Sequence, residues 1–433
     1  MLSGARAPIN PFRMPYSITE ETINSLLRLF LYLIIFWLPY GSAVVESSVI
    51  ICFTLWIFKR VFFRHGIFLT RLRPAITPLD RPILFFLVVC FFSATNSVFP
   101  LQSLSNFLTK TLEWFVIYFL VVESIVKRKH VYIILGIWLF TLSATVIDSL
   151  IQYYVTYRDI FLGHVIEPST RATAGFKTAN GLGAYLTLAI PLILSLIFFR
   201  KEIFRYRLLS ATIFFFAIWS LVVTFSRGAW LAAFLGAILF FLFFLFHKQL
   251  SGFYLVLGFF IITVFLSVYL RFVLTGSFDF ESMARHATAS WRLNIWRDAL
   301  IMLEDRPILG HGINTFMQLF EVYRRDIGSG PTYAHNCYIQ LAAETGIAGL
   351  VSFLWIVFEI FRKSLNYLIF CWEGNDSLVV LSLGLLSGIF AFLIHSFFDN
   401  NFYSLQLSVY LWFFVGILIV MLGEIKCQSP NER

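Results

Sequence analysis

Apolar stretches of about 17 to 22 residues recur along the whole chain, and no other feature constrains its fold as tightly. A helix rises 1.5 Å per residue, so such a stretch crosses a hydrocarbon layer of roughly 30 Å. The stretches are rich in Phe, Leu and Ile without strict alternation, which favours helices over a membrane β-barrel. Helices also satisfy their own backbone polar groups, which lipid cannot do. Of the 433 residues 59% are hydrophobic and 13% charged, an apolar excess too large for a water-soluble core. The expectation is an all-α polytopic membrane protein, a single membrane domain over residues 1–433 with about twelve spans. They begin near Leu26, Ser42, Ile83, Leu112, Tyr132, Leu182, Leu208, Ala229, Phe253, Gly346, Leu378 and Ser404.

Basic residues orient the bundle. Every second connection is loaded: Lys59 to Arg81, then Lys127, Arg128 and Lys129, then Arg200 to Arg207, then Arg362 and Lys363. That alternation predicts cytoplasmic termini and cytoplasmic basic loops, so the net charge of +9 reflects topology and not a nucleic-acid surface. No cleavable signal peptide is evident ahead of the first apolar stretch. Two long segments then fall outside, residues 152–181 and 271–345. Loops of that length are usually functional or disordered. In the second, Trp291, Leu293, Ile295, Trp296, Leu300 and Leu303 supply apolar anchors at roughly helical spacing, and Asn314 is positioned to cap a helix through Tyr323. This predicts a small cap of short helices lying on the membrane. Of the five cysteines only Cys337 falls clearly outside, so no intrachain disulfide is expected, and their spacing gives no metal site.

Arg227 stands in Ser-Arg-Gly-Ala-Trp-Leu between two apolar spans, near the outer boundary. A guanidinium there either snorkels to a lipid headgroup or serves as a phosphate clamp, its forked donors matching phosphate oxygens. Arg285, Arg292 and Arg297 follow in the large loop, several of them in reach of surface acids such as Asp298 and Asp305. His335, in Tyr-Ala-His-Asn-Cys-Tyr, is either a helix-start histidine bonded to backbone or a general base, since a neutral imidazole accepts a proton near pH 7. If helix ran from His335 to Gly346, the eleven steps would set both on one face, with Glu344 opposite. His395 and Asp399 can also reach the outer surface, without further support. Nothing resembles a nucleotide phosphate loop or a nucleophile elbow, and the one close acidic pair outside, Asp279 and Glu281, is weak ground for a metal.

Taken in order, these segments resemble a known family. Ser290 to Leu300, Arg306 to Phe316, and Ala334 to Gly346 are similar to segments of the bacterial O-antigen ligase and O-antigen polymerase superfamily. Thr224 to Leu231 is similar to its Arg-x-x-x-Leu motif, and Arg171 to Leu186 to its Gly-Phe-x-x-x-Asn-x-x-Gly segment. The resemblance covers roughly residues 170–425, and it departs where the family shows Asn-Pro-Asn and this chain has Lys177-Thr178-Ala179-Asn180. It implies a GT-C-like membrane glycosyltransferase at the periplasmic face of the bacterial inner membrane. Such an enzyme inverts configuration and needs neither metal nor other cofactor. Its donor is a glycan on undecaprenyl diphosphate, and its acceptor in the ligase branch is the lipid A–core oligosaccharide. The resemblance assigns His335, Arg227 and Arg292 as catalytic residues, and Arg285, Arg171, Lys177, Asn180 and Asn336 as contacts to diphosphate or glycan. The same motifs serve O-antigen polymerases and protein O-oligosaccharyltransferases. A transporter or flippase is the reading from another class; it expects charges near the bilayer midplane and repeated halves, and no clear internal repeat is present.

Overall fold

The computed structural model describes residues 19–63, 77–167, 170–198, 204–246, 289–325, 332–372 and 376–425. Its long helices are α1 (Glu20–Trp37), α2 (Ser42–Phe63), α3 (Asp80–Thr95), α4 (Pro100–Ser124, with a π turn at Phe107–Thr111) and α5 (Arg128–Ile151). After them come α6 (Ala179–Ile197), α7 (Phe204–Val223) and α8 (Arg227–Phe246). Then α9 (Ala289–Asp305) and the short α10 (Phe316–Tyr323) precede α11 (Cys337–Cys371), α12 (Ser377–His395) and α13 (Leu405–Glu424). Among the described residues the only β pairing is one isolated bridge, Arg158 with Val165.

Eight of the described helices are long and apolar enough to cross a membrane: α2, α4 to α7, and α11 to α13. Three of the other expected spans are helices that fall short of that measure. The first carries Glu20, Glu21 and Arg28 within its 18 residues, α3 has only 16, and the apolar part of α8 is Arg227–Phe243. The span expected near Phe253 lies outside the described residues.

Helices α6, α12 and α13 form the centre, with 83, 89 and 89% of their most apolar windows buried against protein, whereas α2 buries 22% and turns the rest outward. In lipid there is no hydrophobic drive to bring helices together, so close approach of small residues matters more. Gly384 and Gly388 on α12 supply it: a Cβ at Gly384 would meet the Ser195 side chain at 2.4 Å, and one at Gly388 the Leu188 carbonyl at 2.3 Å.

The polar groups sort to the two ends. At one end Arg60 pairs with Glu123, Lys59 with Glu20, and Arg128 with Asp376, all near the start of α1 or α5, the start of α12 or the end of α2 or α4. At the other end lie the starts of α6, α8, α11 and α13 and the end of α12. Cys371 is disulfide-bonded, against the expectation of no bridge. The expectation sorted cysteines by side of the membrane and gave no weight to proximity at the end of α11.

The large loop folds onto that second end. On α9 the buried face runs Ile295, Ala299 and Met302, and it packs with Phe316, Leu319 and Phe320 of α10. Leu293 and Leu300, expected as anchors, are 48% and 46% exposed instead. The spacing of four then three selects one stripe.

The long helix α11 is broken at Gly346, which has φ +69 and ψ −175. The break leaves backbone groups without helical partners, and the turn at Pro307–Gly312 supplies them. Ile347 and Ala348 N–H donate to the carbonyls of Pro307 and Ile308 at 2.8 and 3.3 Å. In return His311 and Gly312 N–H donate to the carbonyls of Ala343 and Glu344 at 3.2 and 2.8 Å. A Cβ on Gly346 would sit 2.1 Å from the Ile308 carbonyl oxygen, so the docking requires glycine. Gly346→Ala is expected to lose about 2 kcal/mol or more, through both left-handed strain and this clash. Gly136→Ala in α5, where nothing lies within 4 Å of an added Cβ, is expected to gain roughly 0.5–1 kcal/mol. Thermal unfolding of both variants in detergent checks the pair, and an undisturbed Gly346→Ala would contradict the docking.

Candidate functional site

Four segments converge on the corner between α12 and α13, residues 395–402. The first is Ala334–Cys337, at the start of α11. Cys337 N–H donates to the Ser396 carbonyl at 2.8 Å, its Sγ to the Asp399 carbonyl at 3.1 Å, and Phe402 N–H to that same Sγ at 3.4 Å. Asn336 caps α11, its side-chain oxygen accepting from the N–H groups of Tyr338 and Ile339. His335 therefore precedes the helix instead of starting it, and sits in the left-handed region with φ +48. The expected common face of His335 and Gly346 does not form, because helix exists at neither position. A non-glycine residue in that region is uncommon, and such outliers gather at functional sites.

Strain at His335 is held by its neighbours. The ring's Nδ1 lies 3.2 Å from Asp399 Oδ1, and Trp291 of α9 packs on the ring with centroids 5.3 Å apart. One turn further along, the Trp296 indole donates to the Ala334 carbonyl at 2.9 Å. Burial pushes the Asp399 carboxyl up, but the His335 hydrogen bond, the imidazoles of His395 and His335 and the Asn400 N–H outweigh it and hold the group at about 2. His335 keeps 26% of its side chain exposed and Asp399 17%, so the pair is open on one side.

The second segment is Ser226-Arg227-Gly228. Arg227 is the first residue of α8, exposed, with no hydrogen bond or ion pair among the described residues. Gly228 brings it to the corner, since a Cβ there would sit 2.7 Å from the Phe398 side chain. Ser226 Oγ lies 3.4 Å from His395 Nε2, and Asn401 Nδ2 lies 3.1 Å from His395 Nδ1.

The third segment carries Arg171, Lys177 and Asn180. Arg171 donates from Nε to the Thr224 carbonyl at 2.7 Å and from its terminal nitrogen to Asn180 Oδ1. Ala172 N–H adds a bond to the Val223 carbonyl at 3.0 Å, so this segment is stitched to the arm that bears Arg227. Lys177 is exposed and lines a cleft together with Asp399.

The fourth is α9 with Arg292, half-buried, whose Nε has no partner among the described residues. Burial pulls the guanidinium pKa of Arg171 and of Arg292 downward, Asp399 offsets this for both, and repulsion from Arg227 adds to it. Those couplings place Arg171, Arg227, Arg292 and Asp399 in one electrostatic neighbourhood. Arg285 lies outside the described residues.

Asp399 and Glu344 are residues that the sequence reading named without giving them a role in the site. The spacing of His395 and Asp399 between the last two spans carried a signal for the first. Glu344 is buried and accepts from the N–H groups of Asn314 and Phe316 at 2.8 and 3.2 Å, from Gln340 Nε2 at 3.2 Å and from Tyr403 Oη at 3.0 Å. It thus serves the start of α10, where Thr315, and not Asn314, is the N-cap and makes no side-chain capping bond, its hydroxyl donating to the Gly312 carbonyl at 2.6 Å instead. Among the described residues no cluster of His, Cys, Asp and Glu is arranged to hold a metal ion.

Residues 212–354 match the family model described as O-antigen ligase, from within α7 to within α11. The match supports the superfamily resemblance; it encloses Arg227, Arg292 and His335 and leaves Arg171 and Asp399 outside. A search of curated proteins returns no match. The family implies membrane glycosyltransferase-like chemistry on lipid-linked glycans.

Asp399 lies below its unfolded value near 3.9, so its stabilising contribution is complete above that pH and lost only as pH falls through about 2. The melting-temperature gap between wild type and Asp399→Asn is therefore expected not to close between pH 8 and pH 5, and to close only as pH falls from about 4 towards 2. A gap that closes between pH 7 and pH 5 would show that the carboxylate is not held this way.

Proposed function

We propose that this chain, with its O-antigen ligase match over residues 212–354, is an inverting glycosyltransferase that moves a glycan from undecaprenyl diphosphate to the lipid A–core oligosaccharide. The observation that carries the reading is the His335–Asp399 pair beside Arg171, Arg227 and Arg292 at one end of the bundle.

In this reading the His335 Nδ1–H donates to Asp399, which leaves Nε2 free to accept. The acceptor hydroxyl oxygen attacks the anomeric carbon while its proton passes to Nε2. The bond from that carbon to the diphosphate oxygen breaks, and its electron pair stays on the phosphate. Arginine donors stabilise the charge that grows there more strongly in the transition state than in the ground state. Arg227 and Arg292 act on the diphosphate, and Arg171, held by Asn180, supports them. Lys177 and Asn336 contribute to glycan contacts, and the resemblance alone assigns Arg285 to the diphosphate. One displacement inverts the anomeric centre, and neither a metal nor another cofactor takes part in the scheme.

The site's place favours an enzyme over a transporter, since its charges sit at helix ends and not along the spans. The end that carries the paired basic residues is the opposite one, as the positive-inside rule expects of an extracytoplasmic site in a bacterial inner membrane with cytoplasmic termini. We read the fold as GT-C-like from the family resemblance alone.

Purified protein with a chelator present is expected to transfer lipid-linked glycan to lipid A–core with inversion. Arg227→Ala should lower kcat on the order of a hundredfold, about 3 kcal/mol, and His335→Ala by a similar or larger factor. Longer glycans on the carrier lipid with no product on lipid A–core would make the enzyme a polymerase. Glycan on a protein acceptor would make it an O-oligosaccharyltransferase. A product with retained configuration would falsify the single displacement.

A further inference from the structure

The connection that follows α5 exposes a run of apolar and aromatic side chains: Val155, Tyr157, Ile160, Phe161, Leu162 and Val165. Single exposed hydrophobics need no explanation, but a cluster at one tip does.

The chain here is a hairpin and not a loose loop. Tyr157 turns in the left-handed region with φ +52, and Arg158 pairs with Val165 across the isolated bridge. Between them Asp159 is buried, and its carboxylate accepts from the N–H groups of Phe161, Leu162, Gly163 and His164. Arg158 N–H donates to the Thr156 hydroxyl at 3.3 Å, Asp159 N–H to the His164 carbonyl at 3.0 Å, and Ile160 N–H to Asp148 Oδ1 at 2.7 Å. Every N–H from Arg158 to His164 therefore has an acceptor within the protein, as a backbone shut away from water requires.

Two contacts fix how deep the hairpin lies. Asp148 stands on α5 twenty residues past Arg128, about 30 Å along the helix and close to the full hydrocarbon thickness. Helical structure continues through a π turn to Thr156, about 12 Å further, so the hairpin leaves beyond Asp148 and folds back to it. Phe161 then packs on Tyr40, ring centroids 4.3 Å apart, and the Tyr40 hydroxyl lies 2.9 Å from that of Thr145, deeper still along α5. The tip thus lies beside the bundle, at the edge of the hydrocarbon, instead of projecting into water.

We infer that the 157–166 hairpin is seated in phospholipid, in the leaflet at the functional end of the bundle. Ile160, Leu162 and Val165 meet the first carbons of the acyl chains. The carbonyls of Ile160 to Gly163 have no donor among the described residues, which suits the hydrated boundary and not the bilayer centre. At the hairpin's base Arg158 is exposed, with no ion pair among the described residues, and meets lipid phosphate. An apolar tip with a cation at its base follows the order of the boundary, acyl chains and then phosphate. The seat also reaches the corner. Gln152 donates to the His164 carbonyl at 3.2 Å and accepts from Thr173 and Ala174 N–H at 2.9 Å each, so the hairpin and the Arg171 segment share one joint. Lipid contact here is independent of what the corner catalyses.

Depth is read on full-length protein in nanodiscs of phosphatidylethanolamine and phosphatidylglycerol. A nitroxide label is placed on Ile160→Cys or Leu162→Cys, and its collisions with dissolved oxygen are compared with those with a water-soluble nickel chelate. Unsubstituted protein, labelled in parallel, gives the background of the native cysteines. Both labels are expected about 5–10 Å inside the phosphate level. Labels that collide chiefly with the nickel chelate would overturn the lipid seat. A second measurement leaves the tip apolar and needs no cysteine: benzoylphenylalanine is placed at Leu162 and irradiated in native membranes. A phospholipid adduct is expected. An adduct to another protein in its place would make the tip a docking surface, and absence of any lipid adduct would put it in water; either result overturns the inference.

Discussion

The exchange of backbone hydrogen bonds between the broken helix α11 and the Pro307–Gly312 turn is the constraint on which the functional end of the molecule depends. A helix interrupted near the membrane exposes N–H and C=O groups that lipid cannot satisfy. Here they are met by a loop that comes from the neighbouring segment, so the break is tolerable only while the loop is docked. The same docking fixes the loop. Ser93 and Ser97 on and after α3 bind the Glu344 and His311 carbonyls at 2.8 and 2.7 Å, which ties a third segment into the joint. The Glu344 side chain then caps α10 from below.

From that joint the placement of His335 follows. With α9 anchored through Ile295, Ala299 and Met302, its first turn sets Trp291 against the imidazole and Arg292 alongside. The Asn336 cap ends the extended approach to α11 and leaves His335 in a conformation that an unconstrained chain avoids. Nothing local to His335 selects its ring orientation. That comes from Asp399, sixty-four residues away in sequence, and from Trp291.

Span length made the helical bundle legible, because it reports an elementary mismatch between backbone polarity and hydrocarbon. The arginines were legible for the same reason: a guanidinium such as Arg227 between apolar spans is costly enough to need an explanation. What periodicity could not reach was the geometry at breaks. A helical wheel carries His335 onto the face of Gly346 only if helix persists between them, and a positive φ at each end removes that premise. Likewise the spacing of Leu293 and Leu300 suggests an anchor, while the buried stripe runs through Ile295, Ala299 and Met302. The Asp399 partner was beyond any local pattern, since the pairing is made by the fold of α11 against the α12–α13 corner.

The charge inventory at this corner explains why such a site is placed at a helix-end boundary. Three guanidinium groups and one carboxylate share a small region, and burial together with mutual repulsion works against two of the cations. A single Asp399 offsets that only in part, and its carboxylate is already engaged by His335. An arrangement with surplus positive charge is unfavourable by itself and becomes favourable when a multiply charged anion sits between the donors. Placed at mid-span, the same surplus would have to be desolvated in full; at the ends of α8 and α11 water can still screen it before substrate arrives. In the proposed reaction the diphosphate gains charge as the sugar leaves, so the repulsion stored among the arginines is relieved further as the bond breaks. In that proposed reaction the corner would convert an electrostatic burden of folding into discrimination between the bound donor and its transition state.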